Sequence, residues 1–141
     1  IDCVRSYSPG FIFTTSLPPA LTAGALASVR HLKSSNVERE RLQNRAARVK
    51  RLASETGLPL IDSPSHIVPI VVGDASLCKA VSDELLYQHA VYVQPINYPT
   101  VPRGTERLRI TPTPQHTDEM IDELIVALDT VWTAKRIRRA A

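Results

Sequence analysis

Aromatic residues make up only 5% of this chain, so any core it builds must be mainly aliphatic. Cysteine is as scarce. Cys3 and Cys78 form neither a CxxC pair nor a metal-ligand spacing, and they read as small, buried, reduced thiols of an intracellular chain. No apolar run approaches the length of a membrane span. No basic region followed by an apolar core marks a signal peptide. There is no glycine-rich phosphate loop and no nucleophile elbow. His31, His66, His89 and His116 are scattered, with none at a metal-ligand spacing to another. His66 reads as a structural hydrogen-bonding residue, and His116 either caps the last helix or faces a site. The lysines Lys33, Lys50, Lys79 and Lys135 fall on polar faces of expected helices, and none reads as a desolvated Schiff-base nucleophile. These gaps leave the chain without a recognisable catalytic set of its own.

What is present suits one soluble domain with a real core. There are 141 residues, 43% hydrophobic and 22% charged, with a net charge of +3 that permits an anionic ligand without requiring one. The most informative stretch is Ile96 to Pro114, where prolines flank the alternating run Arg107, Leu108, Arg109, Ile110, Thr111. A strand has a period of two, so Leu108 and Ile110 share one face and Arg107, Arg109 and Thr111 the other. With the first face on a core, Arg109 is a guanidinium on a rigid element. It is then either a solvated surface arginine or a two-pronged grip for a small carboxylate.

In chain order, Phe11, Ile12 and Phe13 read as a short strand entering the hydroxyl-rich turn Thr14, Thr15, Ser16. Those hydroxyls can cap the following helix or donate to a phosphate. Pro18-Pro19 opens a helix to about Lys33. Ser35 and Glu38 fit a capping box for a second, which stops at Gly57 and carries a narrow stripe of Leu42, Ala46, Val49 and Ala53. The other faces of that helix are arginine-rich. Glu38, Glu40 and Glu55 dilute the charge and no aromatic is interleaved, so a solvated face fits better than a nucleic-acid-binding one. His66 to Val72 reads as a strand placed at a sheet edge by Pro69. Asp74 caps a helix from Ala75 to His89 whose inward face is Leu77, Val81, Leu85 and Ala80. Ala90 to Ile96 is the next strand, then the strand of Arg109. Thr117 caps a last helix with Ile121, Leu124, Ile125, Leu128 and Val131 at helical spacing. The expected fold is α+β, a small, mainly antiparallel sheet with helices on one face. Residues 1–19 read as the end of a large cofactor-binding domain, 20–57 as connecting helices and 58–141 as the small domain. The first residue is Ile1 rather than methionine, and the chain reads as a piece of a longer polypeptide.

The runs GFIFTTSLPP at Gly10–Pro19, SHIVPIVVGD at Ser65–Asp74 and PINYPTVPRGTERLRITPTPQHT at Pro95–Thr117, in collinear order, resemble the C-terminal third of the α-oxoamine synthases. These are pyridoxal-phosphate enzymes of the fold type I architecture. Asn97-Tyr98-Pro99-Thr100 and Pro112-Thr113-Pro114 resemble the 5-aminolevulinate synthase branch. The resemblance implies condensation of glycine with succinyl-CoA to 5-aminolevulinate, CoA and carbon dioxide, with pyridoxal 5'-phosphate as cofactor. Arg109 would bind the amino-acid carboxylate and Thr100 the succinyl carboxylate. Thr14 and Thr15 would reach the cofactor phosphate of the other subunit of a homodimer. The family's Schiff-base lysine would lie upstream, leaving no catalytic residue here and no activity in these residues alone. No nucleic acid, metal or membrane partner is implied. The compartment would be the cytoplasm of a bacterium or the mitochondrial matrix of a eukaryote. Another α-oxoamine synthase, such as 8-amino-7-oxononanoate synthase or glycine C-acetyltransferase, and a non-catalytic binding module with this domain are the competing readings.

Overall fold

The computed structural model describes residues 1–12 and 16–140, in two compact units, Ile1–Asn36 and Val37–Ala141. The first unit is helical: α1 (Asp2–Tyr7), α2 (Pro9–Ile12) and α3 (Pro19–Ser34). No buried side chain occurs in these helices among the described residues. Here the expected strand at Phe11 fails, because Phe11 and Ile12 end α2, while Phe13 lies outside the described residues. A strand needs a neighbour for its main-chain groups, and none is described in this unit. A helical turn satisfies those groups locally, as in the bond from Phe11 N–H to Ser8 O at 2.8 Å. Cys3 is exposed rather than buried, since α1 has no core to enter. The helix from Pro19 starts as its prolines dictate, with a proline in the first turn where no intrahelical donor is missed.

The second unit holds the remaining elements: α4 (Val37–Glu55), β1 (Val68–Val71), α5 (Ala75–His89), β2 (Gln94–Ile96), β3 (Arg107–Ile110) and α6 (Asp118–Ala134). The sheet is antiparallel, in the order β1-β3-β2. Pro69 sits on an edge strand. Its missing N–H points outward, where its carbonyl accepts only from Ile61 N–H at 3.0 Å. Leu60 and Ile70 form a short bridge there, in place of a further full strand. β2 is shorter than the expected Ala90–Ile96. Ala90 adopts a left-handed conformation that closes α5, and Val91 N–H bonds back to Leu85 O, so the chain leaves the helix before it can pair.

The apolar stripes meet over one face of the sheet. Val49 and Ala53 of α4, Val81 and Leu85 of α5, Leu108 of β3, and Ile121, Leu128, Val131 and Trp132 of α6 are buried together. Cys78 and Ser82 complete the inward face of α5, whereas Ala80 is exposed, because helical spacing from Val81 and Leu85 selects Cys78 instead. The caps at Asp74 and Thr117 form as the sequence signals. Asp74 accepts from Leu77 N–H at 2.7 Å and Thr117 from Met120 N–H at 3.3 Å. Beside Thr117, the backbone N–H of Glu119 and then the threonine hydroxyl hold the Glu119 carboxyl below the usual carboxylate range. Gly57 ends the α4 segment with φ +71, and the C-terminal tail returns to it. Arg139 donates to Thr56 O at 2.6 Å and Ala140 N–H to Gly57 O at 2.9 Å.

Candidate functional site

β3 is the central strand, and its alternation decides what faces outward. Leu108 and Ile110 are buried against the helices, while Arg109 between them is exposed. Its strand is flanked on both sides, with Arg109 opposite Pro69 of β1 and Gln94 of β2. Its guanidinium forms no hydrogen bond or ion pair among the described residues. That contrasts with its neighbour Arg107, whose Nε donates to Thr105 O at 2.9 Å. A fixed, unpaired guanidinium on a rigid strand is the arrangement that a carboxylate ligand uses best.

Arg109 also borders a groove of ≈ 540 Å³ at the end of the sheet where β3 runs out. Gln94, Pro112, His116, Met120 and Leu124 are among its other walls. His116 reaches this groove and also serves the turn before α6, since its Nδ1 accepts from Thr113 N–H at 3.0 Å. That bond puts the ring's proton on Nε2 in the neutral form. His66 forms no hydrogen bond among the described residues, contrary to its expected structural role.

Thr100 lies beyond the opposite end of the sheet. β2 begins opposite Arg109 at Gln94 and leaves opposite Arg107 at Ile96, so the chain reaches Thr100 past the end at which β3 starts. Thr100 is exposed, and its N–H donates to Asn97 O at 3.0 Å within a turn that contains the cis Tyr98–Pro99 peptide. No hydrogen bond or ion pair joins Thr100 to Arg109 among the described residues. They are the two ends of one loop-and-strand segment of the same unit. Thr14 and Thr15 lie outside the described residues.

The loop between Thr100 and Arg109 is tied down by a buried carboxylate. Glu106 is 4% exposed, the one buried charged side chain among the described residues. Its Oε2 accepts from Gly104 N–H at 2.8 Å, and its main-chain carbonyl accepts from Val72 N–H at 2.8 Å and Gly73 N–H at 3.0 Å. A signal for it was present, since Glu106 has the same strand parity as the buried Leu108 and Ile110. Burial pushes the nearby Cys78 thiol above its ordinary value. A backbone hydrogen bond from Ile96 opposes that shift, and the charges of Glu106 and Asp74 add to it.

Three of the four lysines are committed elsewhere. Lys50 donates to Ser63 O and Ser65 O at 2.6 and 2.8 Å, Lys79 pairs with Asp83 and Lys135 with Glu84. Lys33 is exposed in the last turn of α3. No group of three or more possible metal-ligating side chains occurs among the described residues, and no described helix is long and apolar enough to cross a membrane.

Residues 1–128 match the family model described as aminotransferase class I and II. The chain belongs to the aminotransferase class I and II family. Among curated relatives of this family member, a 5-aminolevulinate synthase of Bradyrhizobium diazoefficiens is 60% identical over 94% of the chain, which covers 32% of that protein. A mitochondrial 5-aminolevulinate synthase of Schizosaccharomyces pombe is 54% identical over 99% of the chain, covering 25% of it. Among solved structures, SPT with a PLP internal aldimine superposes with a TM-score of 0.89 at 28% identity, over 97% of this chain and 35% of that one. The chain thus spans about a third or less of the length of the relatives it matches. The α+β arrangement, with a three-stranded antiparallel sheet under helices, is that of a portion of this family's fold.

Proposed function

We propose that this chain is the C-terminal part of a 5-aminolevulinate synthase and carries the substrate-carboxylate contacts of that enzyme. The observation that carries the reading is Arg109, exposed and unpaired on a central strand that pairs with a neighbour on each side. The likeness to the synthases supports glycine as the amino acid and succinyl-CoA as the acyl donor. Arg109 grips the glycine carboxylate through two parallel N–H bonds and so fixes which Cα bond stands ready to break. Thr100 offers a hydroxyl to the far carboxylate of the succinyl group and favours that acyl group over uncharged ones.

Pyridoxal 5'-phosphate, when bound, supplies an electron sink for negative charge at the amino acid's Cα. The described residues fit the substrate side of that group and not its covalent anchor, since Lys50, Lys79 and Lys135 are tied to carbonyls or carboxylates. The chain spans about a third of the length of its relatives, and in this reading the anchoring lysine belongs to the rest of the polypeptide. Thr14 and Thr15 serve the phosphate of the other subunit, so the working enzyme is a homodimer with shared sites. In this reading residues 1–19 end the large domain, 20–57 connect, and 58–141 form the small domain. The compartment follows the source, the cytoplasm for a bacterial enzyme and the mitochondrial matrix for a eukaryotic one.

Acyl selectivity tests the reading. The complete enzyme is expected to release 5-aminolevulinate from glycine and succinyl-CoA, with acetyl-CoA and pimeloyl-CoA poor substitutes. A preference for acetyl-CoA or pimeloyl-CoA would assign the chain to a sister synthase instead.

A further inference from the structure

Resting on that reading, we infer that Glu106 is a positioning residue that sets the acyl-CoA side of the site by holding the loop that carries Thr100. Glu106 is buried, and its carboxylate holds Gly104 N–H. Gly104 has φ +81, a conformation few other residues would hold, so the turn depends on both the glycine and its anchor. Thr105 N–H and Oγ1 both donate to Pro102 O, at 3.1 and 2.7 Å, which closes the turn from Pro102 to Thr105. The residue before Gly104 is Arg103, whose guanidinium lies over the Tyr98 ring, 4.8 Å from its centroid. Tyr98 belongs to the turn in which Thr100 N–H and Val101 N–H donate to Asn97 O. The chain of contacts therefore runs from the Glu106 carboxylate through Gly104 and Arg103 to Tyr98, and so to Thr100.

Arg109 stands outside that chain. Its backbone is fixed by the β1 and β2 pairings, which do not involve the Glu106 carboxylate. Glu106 is thus coupled through its side chain to one substrate contact and not to the other. The main-chain carbonyl of Glu106, which receives Val72 and Gly73, survives any side-chain change at this position.

The test is steady-state kinetics of the full-length holoenzyme carrying Glu106→Ala. The apparent KM for succinyl-CoA should rise roughly tenfold, the scale of one lost charge-assisted hydrogen bond. The KM for glycine and the visible absorbance of the bound cofactor should stay as in the parent. Glu106→Gln keeps an acceptor oxygen for Gly104 and should restore most of the succinyl-CoA KM. Glu106→Ala added to Thr100→Ala should raise that KM no further than Thr100→Ala alone, because both act through one contact. A loss of thermal stability with both KM values unchanged, an equal rise in both, or full additivity with Thr100→Ala would overturn the inference. If the alanine variant does not fold, Glu106→Asp, one methylene too short to reach Gly104, is judged by the same readouts. Arg109→Leu, run in parallel, separates the two claims. An unchanged glycine KM there refutes the proposed function, whereas a raised glycine KM with no effect at Glu106 refutes only this inference.

Discussion

At the scale of single residues, position within a strand or helix decides chemistry more than residue type does. Arg107 and Arg109 lie on the same strand face, yet only Arg109 is unpaired, because Thr105 captures the first. Thr100 is the second exposed contact of the proposed site. Replacing it with alanine in the complete enzyme should raise the KM for succinyl-CoA and weaken discrimination against acyl groups without a terminal carboxylate. Competition between acyl-CoA substrates measures this, and an unchanged preference would count against the assignment. Cys78 offers a prediction with a definite sign. Its thiol is raised above its ordinary 9.0, chiefly by burial, so the folded state keeps a proton that the unfolded state sheds first. Its contribution to stability is therefore complete below pH 9 and lost as pH rises through that value and beyond. Urea midpoints at pH 7 and pH 10 should diverge less in Cys78→Ala than in the parent, and native Cys78 should resist thiol reagents until denaturant is added. The same burial was legible in the sequence, where a lone cysteine on an apolar helix reads as core filler. The exposure of Cys3 was not legible, because it depends on which elements are there to cover α1.

Among elements, the signals that proved legible are short-range. Asp74 and Thr117 lie three residues from the N–H groups they cap, so the caps are written in contiguous sequence. Thr117→Ala should cost about 1 kcal/mol of stability, read from a denaturant titration. Strand β3 was legible because alternation is a property of one strand, and Pro69 announced its edge because a missing donor excludes a central position. Core positions follow the same logic. Leu128 is fully buried in α6, and Leu128→Ala should cost about 2–5 kcal/mol in the same titration. The ion pairs joining α4 to α6, such as Arg48 with Asp122 at 2.6 Å, are partly exposed, and their individual loss should move stability by less than about 1 kcal/mol. What failed depended on partners or on backbone conformations that the residue pattern does not announce. The strand expected at Phe11 needs partners for its ladder, and the run from Ala90 lost its first residues to the left-handed turn at Ala90. Glu106 was missed although its parity pointed inward, because a carboxylate on a buried face conflicts with the usual burial rule. Its partner, Gly104 N–H, lies in a turn that parity alone does not reveal.

For the whole molecule, function is divided between what this chain carries and what it does not. It carries an exposed, unpaired guanidinium on a central strand, an exposed threonine turn and the anchored loop between them. Lys50, Lys79 and Lys135 are engaged in helix and turn contacts rather than offered to a cofactor. These residues alone, supplied with pyridoxal 5'-phosphate, glycine and succinyl-CoA, should therefore form no 5-aminolevulinate. Measurable turnover would mean that the covalent chemistry has been assigned to the wrong part of the polypeptide. The central claim is narrower, that Arg109 holds the amino-acid carboxylate, and a glycine titration of the full-length enzyme carrying Arg109→Leu tests it most directly. Followed by the cofactor's visible absorbance, the variant should bind cofactor as the parent does and bind glycine at least thirtyfold more weakly, a loss of about 2 kcal/mol or more. A glycine affinity equal to the parent's would contradict the account.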